Sequence, residues 1–333
     1  MPPSFHPRLV NDPFDDPGLF IPFLFEKRAV LFDLGDLHTL SSKDILKLSH
    51  IFVTHTHMDH FIGFDHVLRL LLGRDKTLSI YGPEGFFKNV EGKLAGYTWN
   101  LVKQYTNRFV LVVSEVHPDH VVTRRYPCRT GFKRERPTVA APFKGKLLNE
   151  SSLSVSAVIL DHKIRCLGLS LEERFRININ KSRAESLGLP MGKWLSDFKK
   201  ALYEEQSPGL IFEVPLLTDE KKKASFRLGD LAKEIAMIRA GQKITYITDT
   251  AFSEDNIRKI IPFAQDSDHL FIEAGFLHKH RDIAENKFHL TAKQAGIIAR
   301  KAGAKALTIF HFSPRYTGKA HELKQEAEEA FRS

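Results

Sequence analysis

Residues 54–60 read Thr-His-Thr-His-Met-Asp-His and place four potential metal ligands within six positions: His55, His57, Asp59 and His60. The apolar run at 51–53 just before them is typical of the end of a buried β-strand. Residues 63–72, GFDHVLRLLL, have the apolar spacing of a helix. The stretch therefore predicts a strand-to-helix turn whose side chains project into a cleft. This density and spacing of imidazole and carboxylate groups indicates a metal site rather than a chance group of loop residues.

Three polar residues further along the chain each close an apolar run of the kind that forms a buried strand. They are His162 after residues 153–160, Asp249 after residues 244–248, and His311 after residues 306–310. A single histidine at a strand end is more often structural or exposed than a ligand. Three such residues in order behind the first motif favour ligation.

The pattern H-x-H-x-D-H after a strand ending in Thr resembles the metallo-β-lactamase superfamily. Further segments narrow the resemblance to its ribonuclease Z branch. These segments are 79–85 (SIYGPEG), 161–168 (DHKIRCLG), 247–250 (ITDT), 272–276 (IEAGF), 289–295 (HLTAKQA) and 311–316 (HFSPRY). The first motif alone fixes only the superfamily, whereas the E-A, H-x-T-A and H-x-S-x-R-Y segments select the branch.

The resemblance implies an α/β fold, the αββα sandwich in which two mixed β-sheets are flanked by helices. Because the candidate ligands extend from His55 to His311, we expect residues 1–333 to form a single domain of this fold. Residues 124–146 are expected as a basic insertion and residues 172–230 as an arm-like insertion. Periodicity also predicts a helix over residues 231–239, capped by Gly241.

Two departures from the branch stand out in the sequence. The Leu-Gly-Thr-Gly strand with which the branch usually opens is missing. The segment that leads into the tRNA-binding arm of the branch keeps Asn180, Gly188, Pro190 and Gly192, but Lys193 stands where the branch has Pro. Both departures bear on the surface that meets the substrate.

Composition favours a reduced, cytoplasmic protein without a membrane partner. No apolar run approaches the roughly 18 residues of a membrane span, and the N-terminal residues lack the blocks of a signal peptide. Two cysteines, Cys128 and Cys166, are too few for a disulfide framework. The formal net charge of +9 favours an anionic partner, nucleic acid first.

The most basic stretch of the chain, residues 124–146, suggests where RNA binds. It holds one acid, Glu135, and eight basic residues: Arg124, Arg125, Arg129, Lys133, Arg134, Arg136, Lys144 and Lys146. Between them stand Tyr126, Phe132 and Phe143. Interleaved aromatic and basic side chains suit an RNA backbone with exposed bases. The alternative is a solvated hairpin with ordinary charges.

The resemblance also implies how the ligands are shared between two metal ions. His55, His57 and His162 would hold one ion, Asp59, His60 and His311 the other, and Asp249 would bridge them. Imidazole and carboxylate ligands without a thiolate suit two Zn²⁺ per chain, with Mn²⁺ as the alternative.

Asp59 is the candidate to hold and deprotonate the nucleophilic water. The resemblance implies that His289, oriented by Glu273, would give a proton to the leaving oxygen. Thr291 and Gln294 predict a capping box, which places His289 just before a helix N-terminus. The alternative is that His289 and Glu273 only brace the metal ligands.

Three functions are compatible with these residues. The first is a zinc-dependent phosphodiesterase that resembles ribonuclease Z and cuts precursor tRNA 3′ trailers. The second is a hydrolase of a small ester or cyclic phosphodiester on the same fold. The third is a catalytically silent RNA-binding protein, against which the full ligand set argues. A homodimer is expected from the resemblance alone.

Overall fold

The computed structural model describes residues 5–24, 26–217 and 219–333, without the side chains of residues 219–222. Within these residues the chain forms two compact units. The first comprises Met1–Leu147, Val155–Leu171 and Lys243–Ser333, and the second comprises Leu148–Ser154 and Glu172–Gln242. The basic segment 124–146 lies in the first unit and the segment 172–230 in the second. The assignment of either segment as an insertion stays a prediction.

The strands and helices are numbered in chain order. The strands are β1 (Arg8–Leu9), β2 (Leu19–Pro22), β3 (Ala29–Phe32), β4 (Leu48–Phe52), β5 (Thr77–Pro83), β6 (Val110–Val116), β7 (His120–Pro127), β8 (Val139–Pro142), β9 (Lys146–Asn149), β10 (Leu153–Asp161), β11 (Arg165–Glu173), β12 (Phe175–Ile179), β13 (Ile211–Leu216), β14 (Asp219–Arg227), β15 (Ala236–Ala240), β16 (Lys243–Ile247), β17 (His269–Glu273) and β18 (Leu307–Phe310). The helices are α1 (Ser42–Ile45), α2 (Met58–Phe61), α3 (Phe64–Leu71), α4 (Phe86–Ala95), α5 (Lys181–Ser186), α6 (Trp194–Tyr203), α7 (Leu228–Ile235), α8 (Glu254–Phe263), α9 (Arg281–Lys287), α10 (Ala292–Lys301) and α11 (Ala320–Arg332). Across the described residues, none of the helices has both the length and the apolar character required to span a bilayer.

The first sheet contains β1 to β8 in sequential order. Its central strands β3 to β6 run parallel, and antiparallel pairs flank them on both sides. Alternation along β3 and β4 divides the side chains between two faces. Leu31 and Ile51 join a core with Phe64 and Leu68 of α3. Phe32 and Phe52 point the other way, into the space between the sheets.

The second sheet has the order β18-β17-β16-β11-β10-β9. Tyr246 of β16 meets Phe32 of the first sheet with ring centroids 5.9 Å apart, and Phe310 of β18 at 5.0 Å. On the outer face, a second core joins these strands to α8, α10 and α11. Two sheets packed face to face with helices outside them confirm the predicted αββα sandwich.

Strand direction places the predicted ligands at one edge of the sandwich. β16, β17 and β18 are parallel, so their carboxyl ends lie side by side. Asp249, Glu273 and His311 lie at these ends, and the Thr54–His60 loop follows the carboxyl end of β4. The predicted strands before His162, Asp249 and His311 are confirmed as β10, β16 and β18.

The second unit has its own core, which includes Trp194, Phe198 and Val214. The helix predicted over residues 231–239 is wrong in its second half. α7 ends at Ile235, and residues 236–240 form β15, which pairs with β12. Gly241 does not cap a helix. A Cβ at Gly241 would lie 1.7 Å from the Glu173 carbonyl oxygen, so the position demands glycine for close backbone approach.

Two helix glycines provide a matched test of the outer packing. A Cβ on Gly296 in α10 would lie 2.2 Å from the Ala327 carbonyl oxygen of α11, whereas one on Gly92 in α4 would meet no described atom within 4 Å outside its own helix and neighbours. Gly296→Ala should therefore lower the free energy of unfolding by about 1–3 kcal/mol through overpacking. Gly92→Ala should raise it by about 0.5–1 kcal/mol, because alanine is the better helix former. Urea titration of both variants measures the difference; a stabilised Gly296→Ala would contradict the packing described.

Candidate active site

A buried carboxylate holds the Thr54–His60 loop in place. Asp33 follows β3 and accepts hydrogen bonds from the Thr54 backbone N–H (2.7 Å) and from the Thr54 hydroxyl (2.8 Å). Its other oxygen lies 2.9 Å from His60 Nδ1 and accepts from the Tyr246 hydroxyl at 3.1 Å. His60 is thereby oriented with Nε2 toward the cleft.

Asp249 stands at the centre of the histidines. Its Oδ2 lies 3.5 Å from Nε2 of each of three rings: His55, His60 and His162. His57 joins this group, with its Nδ1 3.0 Å from His55 Nε2. His162 is fixed from behind by the Phe288 carbonyl oxygen, 2.8 Å from its Nδ1.

A second group forms on the other side of Asp249. His311 Nε2 lies 3.1 Å from Asp59 Oδ2, and His60 Nε2 lies 3.4 Å from the same oxygen. His311 Nδ1 faces Asp249 Oδ1 at 3.1 Å. Asp249 is thus within reach of both groups.

The structure brings all seven predicted ligands into clusters whose ligand atoms lie within 4.8 Å of one another. The clusters are His55, His57, His162 and Asp249; Asp59, His60 and His311; and Asp249, Glu273, His289 and His311. The third cluster also brings together the predicted proton donor and its partner. The division of ligands between two ions stays a prediction.

The nitrogen and oxygen atoms of these side chains are arranged to bind a metal ion rather than to hydrogen-bond with one another. Among the described residues, His60 Nε2 and His311 Nδ1 are buried and make no hydrogen bond. Both nitrogens face Asp249, whose carboxylate is itself buried. Nitrogen and oxygen donors of this kind suit zinc or manganese. Cys166 lies behind His55, with Sγ 3.8 Å from Nδ1, and is buried like a small hydrophobic residue.

The clustered charges shift the pKa values of these groups strongly. Burial raises the pKa of Asp59, but its hydrogen bond to His311 and the charge of His60 outweigh burial and lower it to about 2. Burial also opposes ionisation of Asp249, yet the surrounding imidazoles hold its pKa well below the usual value. Both carboxylates are therefore anionic at neutral pH.

Three site residues adopt positive φ angles one or two residues after strands. The values are 62° for Asp33, 30° for Asp249 and 61° for His311. Such conformations are uncommon outside glycine and cluster at functional sites, where the surrounding structure enforces them. Here they aim the side chains into the cleft.

His289 lies beside the clustered ligands, in the short connection between α9 and α10. Its Nδ1 is 3.0 Å from Glu273 Oε2, and Glu273 is fully buried. Burial lowers the pKa of His289, but the Glu273 carboxylate outweighs it and raises the pKa to about 9. The predicted capping box at Thr291 and Gln294 is confirmed. His289 therefore carries a proton at neutral pH and is positioned by a capped helix.

The cleft has a wall that sequence reasoning missed. A cavity of about 310 Å³ is bounded by Asp59, His289 and His311, and also by Phe14 and Asp16 from the loop between β1 and β2. This loop is fixed by the Phe312 N–H, which donates to the Pro13 carbonyl oxygen at 2.7 Å. It stands in the part of the chain where the Leu-Gly-Thr-Gly strand is missing. The only sequence signal is an acidic pair in a Pro-rich stretch.

The basic segment forms β7, β8 and the turn between them. The expectation that its aromatic residues stack on bases is wrong for Tyr126 and Phe132, because both are buried in the core. Arg124 stacks over Phe87 at 3.9 Å and pairs with Glu91. The exposed cations are Arg125, which pairs with Glu135, and Arg129, Lys133, Arg134, Arg136, Lys144 and Lys146.

Comparison with solved structures defines the class of protein. The metallo-β-lactamase fold protein YhfI from Bacillus subtilis aligns with a TM-score of 0.54 at 15% identity, over 96% of this chain and 87% of that chain. Human tRNase Z, short form, aligns with a TM-score of 0.52 at 17% identity, over 94% of this chain and 93% of that chain. These likenesses establish the metallo-β-lactamase fold.

Sequence relatives then narrow the class to a family. Ribonuclease Z of Crocosphaera subtropica is 30% identical over 308 residues, 90% of this chain and 82% of the relative. Ribonuclease Z of Deinococcus radiodurans is 29% identical over 290 residues, 86% of this chain and 83% of the relative. No family model matches the chain. The chain belongs to the ribonuclease Z family and is a metal-dependent hydrolase.

The hydrogen bonds of Asp33 generate a prediction about metal affinity. Asp33→Ala should weaken retention of the metal held through His60 by about 10–100-fold, the usual cost of losing such a supporting partner. Metal content after dialysis against a competing chelator measures the loss, and circular dichroism checks the fold. Asp119→Ala, in the exposed turn before β7, is the control and should behave like wild type. Unchanged metal retention in Asp33→Ala would show that His60 keeps its orientation without the hydrogen bond to Asp33.

Proposed function

We propose that the chain is an endoribonuclease that removes 3′ trailers from precursor tRNA by a zinc-dependent, two-metal mechanism, leaving a 3′-hydroxyl. The observation that supports it most is the geometry around Asp249: one cluster of metal-ligand side chains contains this carboxylate, and the other approaches it through His60 and His311, beside a protonated His289. The names of the family relatives support RNA as the substrate. A homodimer and a cytoplasmic location are part of the same proposal.

The residues that would hold the metals follow from the clusters. His55, His57 and His162 would bind one Zn²⁺, Asp59, His60 and His311 the other, and Asp249 would bridge. Bound there, the pair of ions supplies a water of lowered pKa and positive charge for the phosphodiester. Asp59 and Asp249 are the two carboxylates of the set, so four positive charges would face two negative ones. The surplus favours an anionic substrate.

The chain's own residues account for the proton transfers. Asp59 is ionised and lines the cleft, so it can orient the attacking water and accept its proton. On the opposite side of the reaction, the leaving ribose oxygen needs a proton. His289 holds one at neutral pH, with Nδ1 bonded to Glu273 and Nε2 left to face the substrate.

The exposed cations of the basic segment would contact the tRNA backbone. Arg129, Lys133, Arg134 and Arg136 are exposed in and after the turn that follows β7. Because phosphate contacts release counterions, such binding should be strongly salt-dependent. Lys287, exposed at the rim of the cleft, adds a cation close to His289.

A cleavage assay tests the proposal directly. Protein reconstituted with zinc should contain close to two ions per chain and should cut a 3′-extended precursor tRNA beyond the 3′ end of the tRNA body. Chelation should remove the metal and the activity together. A cyclic nucleotide and bis(4-nitrophenyl) phosphate are assayed in parallel.

The competing functions give different results in this assay. Hydrolysis of the small diesters with an intact precursor tRNA would indicate a small-molecule phosphodiesterase. Binding of tRNA without cleavage of any substrate, at full metal content, would indicate a silent RNA-binding protein. Either outcome rejects the proposed function.

The role of His289 is tested by varying the leaving group. His289→Ala should keep its metal content, because His289 is outside the proposed ligand set. If the imidazole protonates the ribose oxygen, RNA cleavage should fall by about 10²–10⁴-fold. Hydrolysis of bis(4-nitrophenyl) phosphate should change little, because nitrophenolate leaves without a proton.

His321→Ala, on the exposed face of α11, is the matched histidine control and should leave both rates unchanged. Rates are compared at equal metal occupancy. An equal loss on both substrates would mean that His289 braces the site and donates no proton.

A further inference from the structure

A second and larger cavity lies in the first unit, next to the catalytic cleft. Its volume is about 670 Å³, and its lining includes Asp16, His38, Ile62, His66, Tyr97 and Trp99. We call it the side cavity. None of these residues belongs to the proposed ligands or to the proton-transfer pair.

The side cavity adjoins the cleft through shared residues. Asp16 lines both spaces. Asp59 in α2 lines the cleft, and Ile62, about one helical turn further along, lines the side cavity. A group bound in the side cavity is therefore close to a phosphodiester held at Asp59.

Backbone hydrogen bonds join the loop that carries His38 to the end of the ligand loop. The Leu34 N–H donates to the His60 carbonyl oxygen at 2.9 Å, and the Gly63 N–H donates to the Leu34 carbonyl oxygen at 2.8 Å. A Cβ on Gly63 would lie 2.2 Å from the Gly35 carbonyl oxygen. The loop that carries His38 is thus hydrogen-bonded and closely packed against the start of α3.

Four flat rings are part of the lining. The His38 and His66 rings are 4.6 Å apart, and the Tyr97 and Trp99 rings are 5.8 Å apart. Tyr97 is 47% exposed although it lines a cavity, and Ile62 is 44% exposed. Trp99 is half-buried and held by its indole N–H, which donates to the Leu94 carbonyl oxygen at 2.8 Å. The exposed ring of Tyr97, beside the apolar Ile62, is a stacking surface for a planar ligand such as a nucleobase.

The charged residues of the side cavity favour a nucleobase over a phosphate group. Asp16, Asp36 and Asp65 line the side cavity, against one arginine, Arg69. Asp65 pairs with Lys93 at 2.7 Å and Asp36 with His38, which leaves Asp16 as the carboxylate nearest the cleft. Carboxylates repel phosphate groups, but they accept hydrogen bonds from the amino and ring N–H groups of bases. The cleft, with its proposed metals, suits the phosphate group, and the side cavity suits the base of a neighbouring nucleotide.

We propose that the side cavity binds one unpaired base of the RNA strand that is cut in the cleft, by stacking on Tyr97 with its edge toward Trp99. The proposal rests on the proposed function and deepens it. The base belongs to a nucleotide close to the scissile bond, and its capture positions the strand for cleavage.

The test combines a substrate change with a protein change. Precursor RNAs are made with a single abasic site at successive positions around the cut, and kcat/KM is measured with wild type and Tyr97→Ala. At one position, the abasic site should lower kcat/KM of wild type by about 5–150-fold, the range for one base–aromatic stack. Tyr97→Ala should lose a similar factor on intact RNA and lose no more on that abasic RNA.

Two controls separate binding from damage to the fold. Leu101→Ala, 57% exposed in the same connection and absent from the cavity lining, should match wild type on every RNA. Bis(4-nitrophenyl) phosphate carries no base, so Tyr97→Ala should hydrolyse it at the wild-type rate. A lower rate of Tyr97→Ala on this substrate would overturn the proposal. So would a Tyr97→Ala defect in kcat/KM that adds to the abasic defect at every position. His38→Ala provides a second cavity variant with the same expectations.

Failure of the proposed function is recognised separately. If wild type cuts no RNA, the proposed function is wrong, and the side cavity is then judged by titration with adenosine and cytidine. Binding should quench tryptophan fluorescence in wild type and leave Trp99→Phe unchanged. Absence of quenching, or the same quenching in Trp99→Phe, would overturn the proposal without any cleavage data.

Discussion

The site depends on the hydrogen bonds accepted by the buried carboxylate of Asp33. This carboxylate sits at the carboxyl end of a strand in the first sheet and accepts a hydrogen bond from Tyr246 of the second. The same carboxylate holds Thr54 and His60 of the ligand loop. A fully buried charge is costly unless it is paired and hydrogen-bonded. Because these partners come from both sheets, the carboxylate is satisfied only when the sheets are packed and the loop is in place.

The site built on this contact separates its tasks by environment. Asp249 is surrounded by imidazoles and stays ionised, which suits a shared metal ligand. Glu273 is buried against a single imidazole and holds a proton on His289, which suits proton donation. Two carboxylates at the carboxyl ends of neighbouring parallel strands are thus placed in different electrostatic surroundings by the groups that face them. The chemistry therefore depends on strand order as much as on residue type.

Much of the fold was predictable because its signals are local. Apolar runs that end in a polar residue identified β10, β16 and β18, and a Thr-x-x-Gln pattern identified the cap of α10. The same local logic failed at residues 236–240, where helical spacing continued but the chain pairs with β12. It also failed at Tyr126 and Phe132, whose neighbours are basic although their side chains enter the core. A local pattern shows only the spacing of apolar residues and their secondary-structure propensity. Pairing with distant strands decides which structure forms and which side chains are buried.

The sequence by itself predicted which groups the structure brings together: seven imidazoles and carboxylates, on the Thr54–His60 loop and after β10, β16 and β18, with His289 before a capped helix. Only the tertiary structure decided that Asp249 lies between the two clusters. It also decided that Arg124 packs on Phe87 and pairs with Glu91, and that the Phe14–Asp16 loop lines the cleft. The side cavity was likewise invisible, since its lining comes from separate segments between residues 16 and 99. Such features arise when packing brings together residues that no local spacing relates, because burial and hydrogen bonding are satisfied across the whole fold rather than along the chain.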